Sequence, residues 1–317
     1  MRISRTILCW ALLTPGAVWA VIRGFGWERG PLVQAIAFTP YTAIWSLLPA
    51  VLALALRRWT AAGVAGLVAA ALLAAVVPRA VPATGPVPGG PWLRVLTANL
   101  LAGAGDPAAL VELVRRERVD VLALQEYPPS AEAALAGLGL RDLLPHRVTN
   151  PVPGTAGSAL YARHPLRDAG VRHNSGGFTQ AYGTLDVPGG RPVLVESVHP
   201  AAPYALHMLD EWRVDLAAQP PATPDGPLRV LAGDFNSTLD HVALRRLLAT
   251  GYTDAAAEVG AGLIGTWGPY DGDWIPPVTL DHVLADRRMG VLSATVHRLP
   301  GSDHRPVLAQ LELPAPQ

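Results

Sequence analysis

The sequence contains a single cysteine and no lysine. Because Cys9 has no second cysteine to pair with, an intrachain disulfide and a metal site built of several thiolates are both excluded. All 25 basic residues are arginines. Together with the alanine, glycine and proline bias, this reflects nucleotide composition and says nothing about function. No internal repeat is evident, and the length of 317 residues fits one large domain or two smaller ones.

A basic surface for nucleic acid is also missing. Seven of the 25 arginines but only one of the 25 acidic residues lie in residues 1–91, which leaves 18 arginines and 24 acidic residues in residues 92–317. The larger part of the chain is therefore acidic by about six charges. Proteins that bind nucleic acid usually present a basic face to the phosphates, so this balance argues against a nucleic-acid partner.

Long apolar runs, by contrast, are plentiful before residue 80. Three of them occupy residues 6–22, 31–56 and 61–77. A membrane-spanning helix needs roughly 17–25 mostly apolar residues, so we expect residues 1–80 to form a transmembrane region of three helices. Pro40 and Pro49 interrupt the second run, and they can kink one long helix or split it into a re-entrant pair.

The first run has a second interpretation, because Arg2 and Arg5 precede an apolar core and then small residues, as in a secretory signal peptide. The two further runs favour a retained anchor. Positively charged residues prefer the cytoplasmic side of a membrane. Arg57 and Arg58, between the second and third runs, agree with Arg2 and Arg5 on an inside amino terminus, although two arginines after the first run oppose it. Three spans then place the rest of the chain outside the cell.

A linker rich in proline and glycine, residues 81–91, separates this region from residues 92–317. Beyond it, short apolar strands such as "WLRVLTANL", "VDVLALQE" and "LRVLAGDFN" alternate with helical patterns. The stretch "DPAALVELVRRER" has Asp106 in the N-cap position and Pro107 as the first helical residue, as helix starts prefer. Strands interleaved with helices and hairpins predict a layered α/β fold with one sizeable core.

Polar residues recur where the predicted strands end. Asn99, Glu126, His199 and Asp234 each close a strand, Asp281 lies in the next strand, and Asp303 and His304 open the last. In layered α/β folds, ligand sites form where strand ends converge. In "GDFN", Asp234 and Asn236 are two residues apart, so on an extended chain both side chains would face one spot. Burying them there is costly unless a cation or a phosphate uses them.

Five of these stretches occur in the order known from one superfamily. "TAN" with Asn99, "LALQE" with Glu126, "GDFN", "LDHVL" with Asp281 and "SDHRPV" with His304 resemble the motifs of the endonuclease/exonuclease/phosphatase (DNase I-like) superfamily over residues 93–313. The resemblance implies a four-layer α/β sandwich, with two packed mixed sheets flanked by helices, and metal-dependent phosphoester hydrolysis. The transmembrane region makes the chain similar to the membrane-anchored bacterial branch, which includes teicoplanin-resistance membrane proteins.

The resemblance implies a metal site and a set of ligands. Glu126 would be the main ligand of Mg²⁺ or Mn²⁺, Asn99 would help to orient the metal or the phosphate, and Asp303 would bind from the other side. Mg²⁺ prefers oxygen ligands and keeps several of its waters, so one or two carboxylates suffice. Each of these residues has an alternative role as a cap or a strand-end polar group.

Catalytic roles follow from the same resemblance. His304 and Asp281 would form an acid–base pair, in which the carboxylate fixes the tautomer of the imidazole and stabilises its charged form. Asp234 is the alternative general base, and the choice between it and His304 stays open. Asn236 would bind a phosphate oxygen or the attacking water. His199 would contact the phosphate and stabilise the charge that develops there.

The loop at residues 265–277 lies just before the strand of Asp281 and borders the expected site. Its aromatic residues Trp267, Tyr270 and Trp274 would hold an apolar or sugar group of the substrate, or serve only to pack the loop. Many relatives carry a basic residue two positions before the aspartate that orients the histidine. Here that position is Thr279, so one phosphate contact is absent.

The expected function is that of a membrane-anchored phosphoesterase acting outside the cell on a lipid-linked phosphate or diphosphate. An undecaprenyl diphosphate-type carrier is the expected substrate, and glycopeptide-antibiotic resistance is a candidate process. The expected partners are the lipid bilayer and that substrate. The alternatives are a tethered extracellular nuclease and a phospholipid or sphingomyelin phosphodiesterase. A catalytically inactive binding domain is disfavoured, because the set of motif residues is complete.

Overall fold

The apolar runs before residue 80 are helical in the computed structural model, which describes residues 2–85, 88–268 and 274–315. The helices are α1 (Arg2–Phe25), α2 (Leu32–Ile36), α3 (Thr39–Trp45), α4 (Leu47–Ala55) and α5 (Trp59–Val76), followed by a short 3₁₀ turn at Val77–Ala80. By length and composition, Ser4–Phe25 and Trp59–Ala80 are able to cross a membrane. Two of the three predicted spans are therefore present as continuous helices.

The middle run does not form the continuous spanning helix that its length predicts. It is divided into α2, α3 and α4, and its longest apolar stretch, Thr39–Ala55, is shorter than either spanning candidate. Pro40 and Pro49 lie in the first turns of α3 and α4, where a missing N–H removes no intrahelical bond. The second run is therefore divided, one of the two outcomes expected from its prolines, and by length and composition two of the three predicted spans are able to cross a membrane.

The rest of the chain is built on two mixed sheets of six strands. The first contains β1 (Gly89–Asn99), β2 (Val121–Gln125), β3 (His146–Asn150), β4 (Ser158–Ala162), β11 (Gly290–Val296) and β12 (Val307–Pro314), in the order β11-β12-β1-β2-β4-β3. The second contains β5 (Leu166–His173), β6 (Thr179–Leu185), β7 (Val193–Val198), β8 (Leu228–Asp234), β9 (Tyr252–Asp254) and β10 (Asp281–Asp286), in the order β5-β6-β7-β8-β10-β9.

Helices cover the outer face of each sheet, which confirms the predicted four-layer sandwich. They are α6 (Pro107–Arg116), α7 (Pro129–Gly137) and α8 (Leu140–Leu143) on the first sheet, and α9 (Leu209–Ala217) and α10 (Val242–Ala249) on the second. The short α11 (Ala255–Glu258) instead packs Ala255 and Ala256 into the core between the sheets. The core between the sheets consists of buried aliphatic side chains from both, such as Val95, Val121, Val195 and Val230. Asp106 caps α6 by accepting hydrogen bonds from two of its first N–H groups, as expected.

Strand pairing brings the predicted site residues to one edge of the sandwich. β1 and β2 are parallel, and Asn99 pairs with Gln125, the residue before Glu126. β7 and β8 are also parallel, so His199 and Asp234 follow neighbouring strand ends. Since β10 runs antiparallel to β8, its first residue, Asp281, pairs directly with Asp234. Parallel strands end at the same edge of a sheet, and this puts residues distant in sequence side by side.

The apolar amino-terminal helices are joined to the sandwich by a buried carboxylate, Asp240, in the loop after β8. Arg23, near the end of α1, donates from Nε to Oδ1 of Asp240 at 2.5 Å. Arg79, just after α5, donates from Nη1 and Nη2 to the two oxygens of Asp240 at 2.8 and 2.6 Å. The side chain of Asp240 is fully buried, and those of Arg23 and Arg79 are 15% and 9% exposed. The arginines at the carboxyl-terminal ends of α1 and α5 therefore bind the same carboxylate.

Further contacts surround this Arg23–Asp240–Arg79 cluster. Glu28 accepts the N–H of Val242 at 2.8 Å at the start of α10. The carbonyl oxygen of Val33 lies 2.9 Å from Nε2 of the buried His241, and the side chain of Val33 packs in the core between the second sheet and its helices. The predicted linker also lies on the sandwich, since Ala83 donates its N–H to the carbonyl of Glu258 at 2.8 Å. The two regions therefore share a packed interface with buried polar contacts.

We expect Asp240→Asn to destabilise the protein strongly. The change removes the negative charge and leaves two buried guanidinium groups without their counter-ion, and breaking a buried ion pair in this way costs about 3–5 kcal/mol. The midpoint of thermal unfolding of the detergent-solubilised full-length protein measures the effect. Glu112→Gln is the control, because Glu112 and Arg115 form an exposed pair on α6. Equal midpoints for the two variants would contradict the assigned role of Asp240.

Candidate active site

The strand-end residues predicted from the sequence form one connected cluster around the carboxylate of Asp234, which ends β8 and is 2% exposed. Its Oδ2 accepts a hydrogen bond from the amide of Asn99 at 3.0 Å. The same oxygen lies 3.6 Å from Nε2 of His304 and 3.8 Å from Nε2 of His199. Side chains from both sheets thus meet at a single buried carboxylate oxygen.

His304 and Asp281 form the expected pair. Nδ1 of His304 lies 2.8 Å from Oδ2 of Asp281, and both residues are buried. Two hydroxyl groups orient them: Thr266 accepts the N–H of Asp281 at 2.9 Å, and Ser302 accepts the N–H of His304 at 3.1 Å. Ser302 in turn donates to the carbonyl of Asn99 at 2.8 Å. The pair is therefore tied to the end of β1 as well as to β10.

Charge differs between the two histidines of the cluster. Burial lowers the pKa of His304, but the carboxylates of Asp281 and Asp234 outweigh burial and raise it to about 10. Burial lowers the pKa of His199 to about 4, and the nearby Asp234 offsets only part of this effect. Burial also raises the pKa of Asp234, partly offset by His304. At neutral pH the site therefore contains an imidazolium at His304 and a neutral imidazole at His199.

Glu126 occupies a strained backbone position directly after β2. Its φ is +53°, in the left-handed region that costs a residue with a Cβ about 1–3 kcal/mol. Its Oε1 accepts from the amide of Asn99 at 3.1 Å, and its Oε2 accepts from the N–H of Ala102 at 2.7 Å. The amide oxygen of Asn99 accepts from the N–H of Leu101 at 2.9 Å. The amide nitrogen of Asn99 thus bridges Glu126 and Asp234.

The donor set of the cluster suits a divalent cation. Oδ1 of Asp281 and Oδ1 of Asp303 are buried and have no hydrogen-bond partner among the described residues. Asp234, Asp281 and His304 offer ligand atoms within 4.8 Å of one another. However, Nδ1 of His304 is already hydrogen-bonded to Asp281, and the positive charge of the His304 imidazolium repels a cation. Carboxylate oxygens, including those of Glu126, are the ligands that Mg²⁺ and Mn²⁺ prefer.

The geometry expected for "GDFN" is wrong in one respect. The extended strand ends at Asp234, and Asn236 has a φ of +48°. The N–H of Asn236 turns back to Oδ1 of Asp234 at 2.8 Å, and its amide nitrogen donates to the carbonyl of Pro200 at 3.1 Å. The two side chains are therefore not parallel. Asn236 instead connects the loop after β8 to the residue that follows His199.

The three aromatic residues predicted to border the site have different positions. Trp267 is half-buried, and its indole N–H donates to Oδ2 of Asp303 at 3.0 Å, so it holds a site residue in place. The backbone of Trp267 also pairs with His304. Trp274 is fully exposed. Tyr270 lies outside the described residues.

Several residues of the site were not identified from the sequence. Gln125 is buried, accepts from Thr97 at 3.1 Å and donates to Ser197 at 2.9 Å, so it links the two sheets beneath Glu126. Phe178 packs edge-on against His199 with a centroid distance of 4.6 Å. Ser302 directly precedes Asp303 and His304 in "SDHRPV", so the sequence motif could have indicated it. The roles of Gln125 and Phe178 depend on pairing across elements, which no local pattern reveals.

Comparisons with known proteins agree with the fold. The model described as "Endonuclease/Exonuclease/phosphatase family" matches residues 96–304. An endonuclease/exonuclease/phosphatase from Beutenbergia cavernae DSM 12333 has 20% identity and a TM-score of 0.58, over 70% of this chain and 72% of that one. D. rerio TDP2, complexed with single strand DNA product, has 15% identity and a TM-score of 0.55, over 70% and 99% of the chains. At these identities the structures show a shared fold. Curated proteins give no match.

We expect Asp281→Asn to lower kcat by about 10²–10⁴-fold with a small change in KM, as loss of an acid–base contribution does. Asparagine removes the charge that stabilises the His304 imidazolium, and it no longer fixes the tautomer of the imidazole as the carboxylate does. Hydrolysis of p-nitrophenyl phosphate with Mg²⁺ measures the effect.

The chain offers a matched control for this variant. Asp254 and His282 form a second buried pair, 2.7 Å apart, whose histidine contacts the carbonyl of Ser237 rather than the cluster. Asp254→Asn should lower the thermal midpoint and leave the kcat of the folded enzyme unchanged. If both variants lost activity in proportion to stability, the Asp281–His304 pair would have no catalytic role.

Proposed function

The chain belongs to the endonuclease/exonuclease/phosphatase family and is a metal-dependent phosphoesterase, and we propose that its substrate is a phosphate or diphosphate group on a membrane lipid. The observation that carries the proposal is the attachment of the site to the membrane helices. Six residues after Asp234, Asp240 binds the ends of both helices that are able to span a membrane. A soluble substrate requires no such attachment, whereas a lipid substrate stays in the bilayer.

The direction of these helices supports a catalytic site outside the cell. Arg23 and Arg79 lie at the carboxyl-terminal ends of their helices, and both bind Asp240, so α1 and α5 run in the same direction. The chain between them must return, and α2, α3 and α4 provide the return path. The amino terminus and the Arg57–Arg58 turn then share the side opposite the sandwich. Arginines prefer the cytoplasm, and this preference supports the proposal that the sandwich lies on the extracellular side.

The residues of the cluster divide the proposed reaction between them. Asp234 takes the proton of the attacking water as the water oxygen bonds to phosphorus and the P–O bond to the lipid-borne leaving group breaks. Its Oδ2 lies near Nε2 of both His304 and His199, and burial raises its pKa, as suits a general base. The His304 imidazolium, held by Asp281, contacts the phosphoryl group and stabilises the charge that develops on it. His199 stays neutral and acts as a hydrogen-bond partner. The contact of Asn236 with a phosphate oxygen or the water stays a prediction.

Glu126 is the proposed main ligand of Mg²⁺ or Mn²⁺, with Asn99 and Asp303 as additional ligands. The bound cation supplies Lewis-acid polarisation of a phosphoryl oxygen. The strained backbone of Glu126 and the N–H of Ala102 hold the carboxylate before any metal binds. This preorganisation avoids a conformational cost at the moment of binding.

Charge supports a lipid-linked phosphate over DNA. The part of the chain after residue 91 has an excess of six acidic residues over arginines, and DNA binding without sequence readout depends on cations that meet phosphates. D. rerio TDP2 has single strand DNA as a product, so a nuclease is the second candidate. A diphosphate on a polyprenyl carrier of the undecaprenyl type combines a compact anionic group with a tail that remains in the bilayer, and it is the proposed substrate.

The full-length protein should release phosphate from a polyprenyl diphosphate in the presence of Mg²⁺ or Mn²⁺, and EDTA should stop the reaction. Plasmid DNA should remain intact at about 0.15 M salt, where charge screening is physiological. Phosphate release and plasmid nicking are measured side by side, with sphingomyelin as a phosphodiester lipid. Efficient nicking without phosphate release would favour the nuclease. Cleavage of sphingomyelin alone would favour a phosphodiesterase.

Cysteine labelling tests the topology. In a Cys9→Ser background, a cysteine at the exposed Ser130 should react with a membrane-impermeant maleimide in intact cells, because Ser130 belongs to the sandwich. A cysteine at Thr60, an exposed position at the start of α5, should react only after the cells are opened. The reverse pattern would place the active site in the cytoplasm and exclude an extracellular carrier lipid.

A further inference from the structure

A groove lies where α3 meets the sandwich, and no step of the reaction described above uses it. Its volume is about 170 Å³, and we call it the junction groove. It is lined by Pro40, Tyr41 and Ile44 of α3 and by Leu239, Leu263 and Pro277 of the sandwich. One wall thus comes from the membrane region and the other from loops beside the active site.

The junction groove opens among exposed apolar side chains. Ile44 is 67% exposed and Leu263 is 40% exposed, and Ile264, Trp274 and Ile275 on the same loop region are 46%, 100% and 49% exposed. In water, exposed apolar side chains on neighbouring segments form an unfavourable surface of the kind that marks an interaction site. Next to a bilayer, the same surface is in contact with hydrocarbon and headgroups. The mouth of the groove therefore favours a lipid over a soluble ligand.

The polar groups that line the junction groove are already paired with protein. The guanidinium of Arg79 is bonded to Asp240. The hydroxyl of Thr279 donates to the carbonyl of Ile264 at 3.0 Å, and the hydroxyl of Tyr41 donates to the carbonyl of Pro277 at 2.6 Å. A hydrocarbon chain in the groove would thus leave none of these groups unsatisfied, and such a loss is the main cost of placing an apolar ligand beside polar atoms.

The inner end of the groove adjoins the active site. Thr238 lines it two residues after Asn236, and Thr279 lines it two residues before Asp281. The neighbouring Val278 exchanges backbone hydrogen bonds of 2.9 Å with Trp267, whose indole holds Asp303. The walls of the groove are therefore continuous with the segments that carry the catalytic pair and a proposed metal ligand.

We propose that the junction groove binds the part of the lipid substrate's hydrocarbon chain that lies next to the phosphate. This inference rests on the proposed function, and it assigns the recognition of the lipid to contacts with α3, with Leu263 and with residues 277–279. The phosphate lies among the charged residues of the cluster, and the first part of the chain lies in the groove. The return segment between the two spanning helices is then part of the substrate site as well as of the anchor.

The test is a comparison of Leu263→Trp with the wild-type protein, both full-length in detergent. Tryptophan at position 263 fills the groove, so contact with about two methylene groups of the chain is lost. We expect KM for farnesyl and undecaprenyl diphosphate to rise about tenfold, which corresponds to about 1.4 kcal/mol. The value of kcat/KM for p-nitrophenyl phosphate should be unchanged, which also shows that the variant is folded. Leu138→Trp is the matched control, because Leu138 is 42% exposed and lies beyond α7 on the other sheet.

A photolabelling experiment gives the position of the chain directly. A diazirine-bearing farnesyl diphosphate should label wild-type peptides containing residues 37–44 or 263–279, and Leu263→Trp should reduce this labelling. Equal KM values for both tryptophan variants, or labelling elsewhere, would show that the junction groove does not bind the hydrocarbon chain. Diphosphate hydrolysis by the wild-type protein would still support the proposed function in that case. Failure of the wild type to hydrolyse any prenyl diphosphate, with activity on p-nitrophenyl phosphate retained, would overturn both.

Discussion

Burying a carboxylate costs free energy unless a partner group compensates its charge. The end of β8 and the loop after it contain two buried carboxylates, which are compensated in opposite ways. Asp240 is bound by two arginines, so its charge is neutralised and its role is structural. Asp234 faces no arginine among its contacts. Its partners are an amide and two histidines, one of which carries a proton that Asp281 also stabilises. Burial raises the pKa of Asp234 and His304 offsets part of that effect, so Asp234 suits a group that exchanges a proton.

Backbone strain accompanies this arrangement. Glu126 and Asn236 have left-handed backbones, as do Leu101 and Ala102 in the turn after β1. In each case a short hydrogen bond holds the turn: the N–H of Ala102 binds Glu126, and the N–H of Asn236 binds Asp234. Strained positions persist only where the surrounding structure determines them strongly. Here they orient the carboxylates and amides of the cluster towards one another, as expected of a preorganised site.

The apolar helical region and the sandwich are separate in sequence and joined in packing. Val33 contributes to the core on the outer face of the second sheet, and its carbonyl contacts the buried His241. Gln34 donates to the carbonyl of Pro203 in the loop after β7, and Tyr41 donates to that of Pro277. Loops that border the cluster thus rest on α2 and α3. The apolar helical region therefore also supports the loops that border the active site.

The sequence by itself determined the layered fold and most members of the cluster, because strand periodicity and strand-end polar residues are local signals: Asn99, Glu126 and His304 are visible in this way. Only tertiary structure decided what depends on distant contacts. Asp240 stands in the same stretch as Asp234, yet its partners Arg23 and Arg79 lie more than 150 residues away, and no local pattern distinguishes a structural carboxylate from a catalytic one. Likewise, the turn at Asn236 and the division of the second apolar run follow from how the chain packs, since backbone conformation at these points is set by partners that sequence spacing does not reveal.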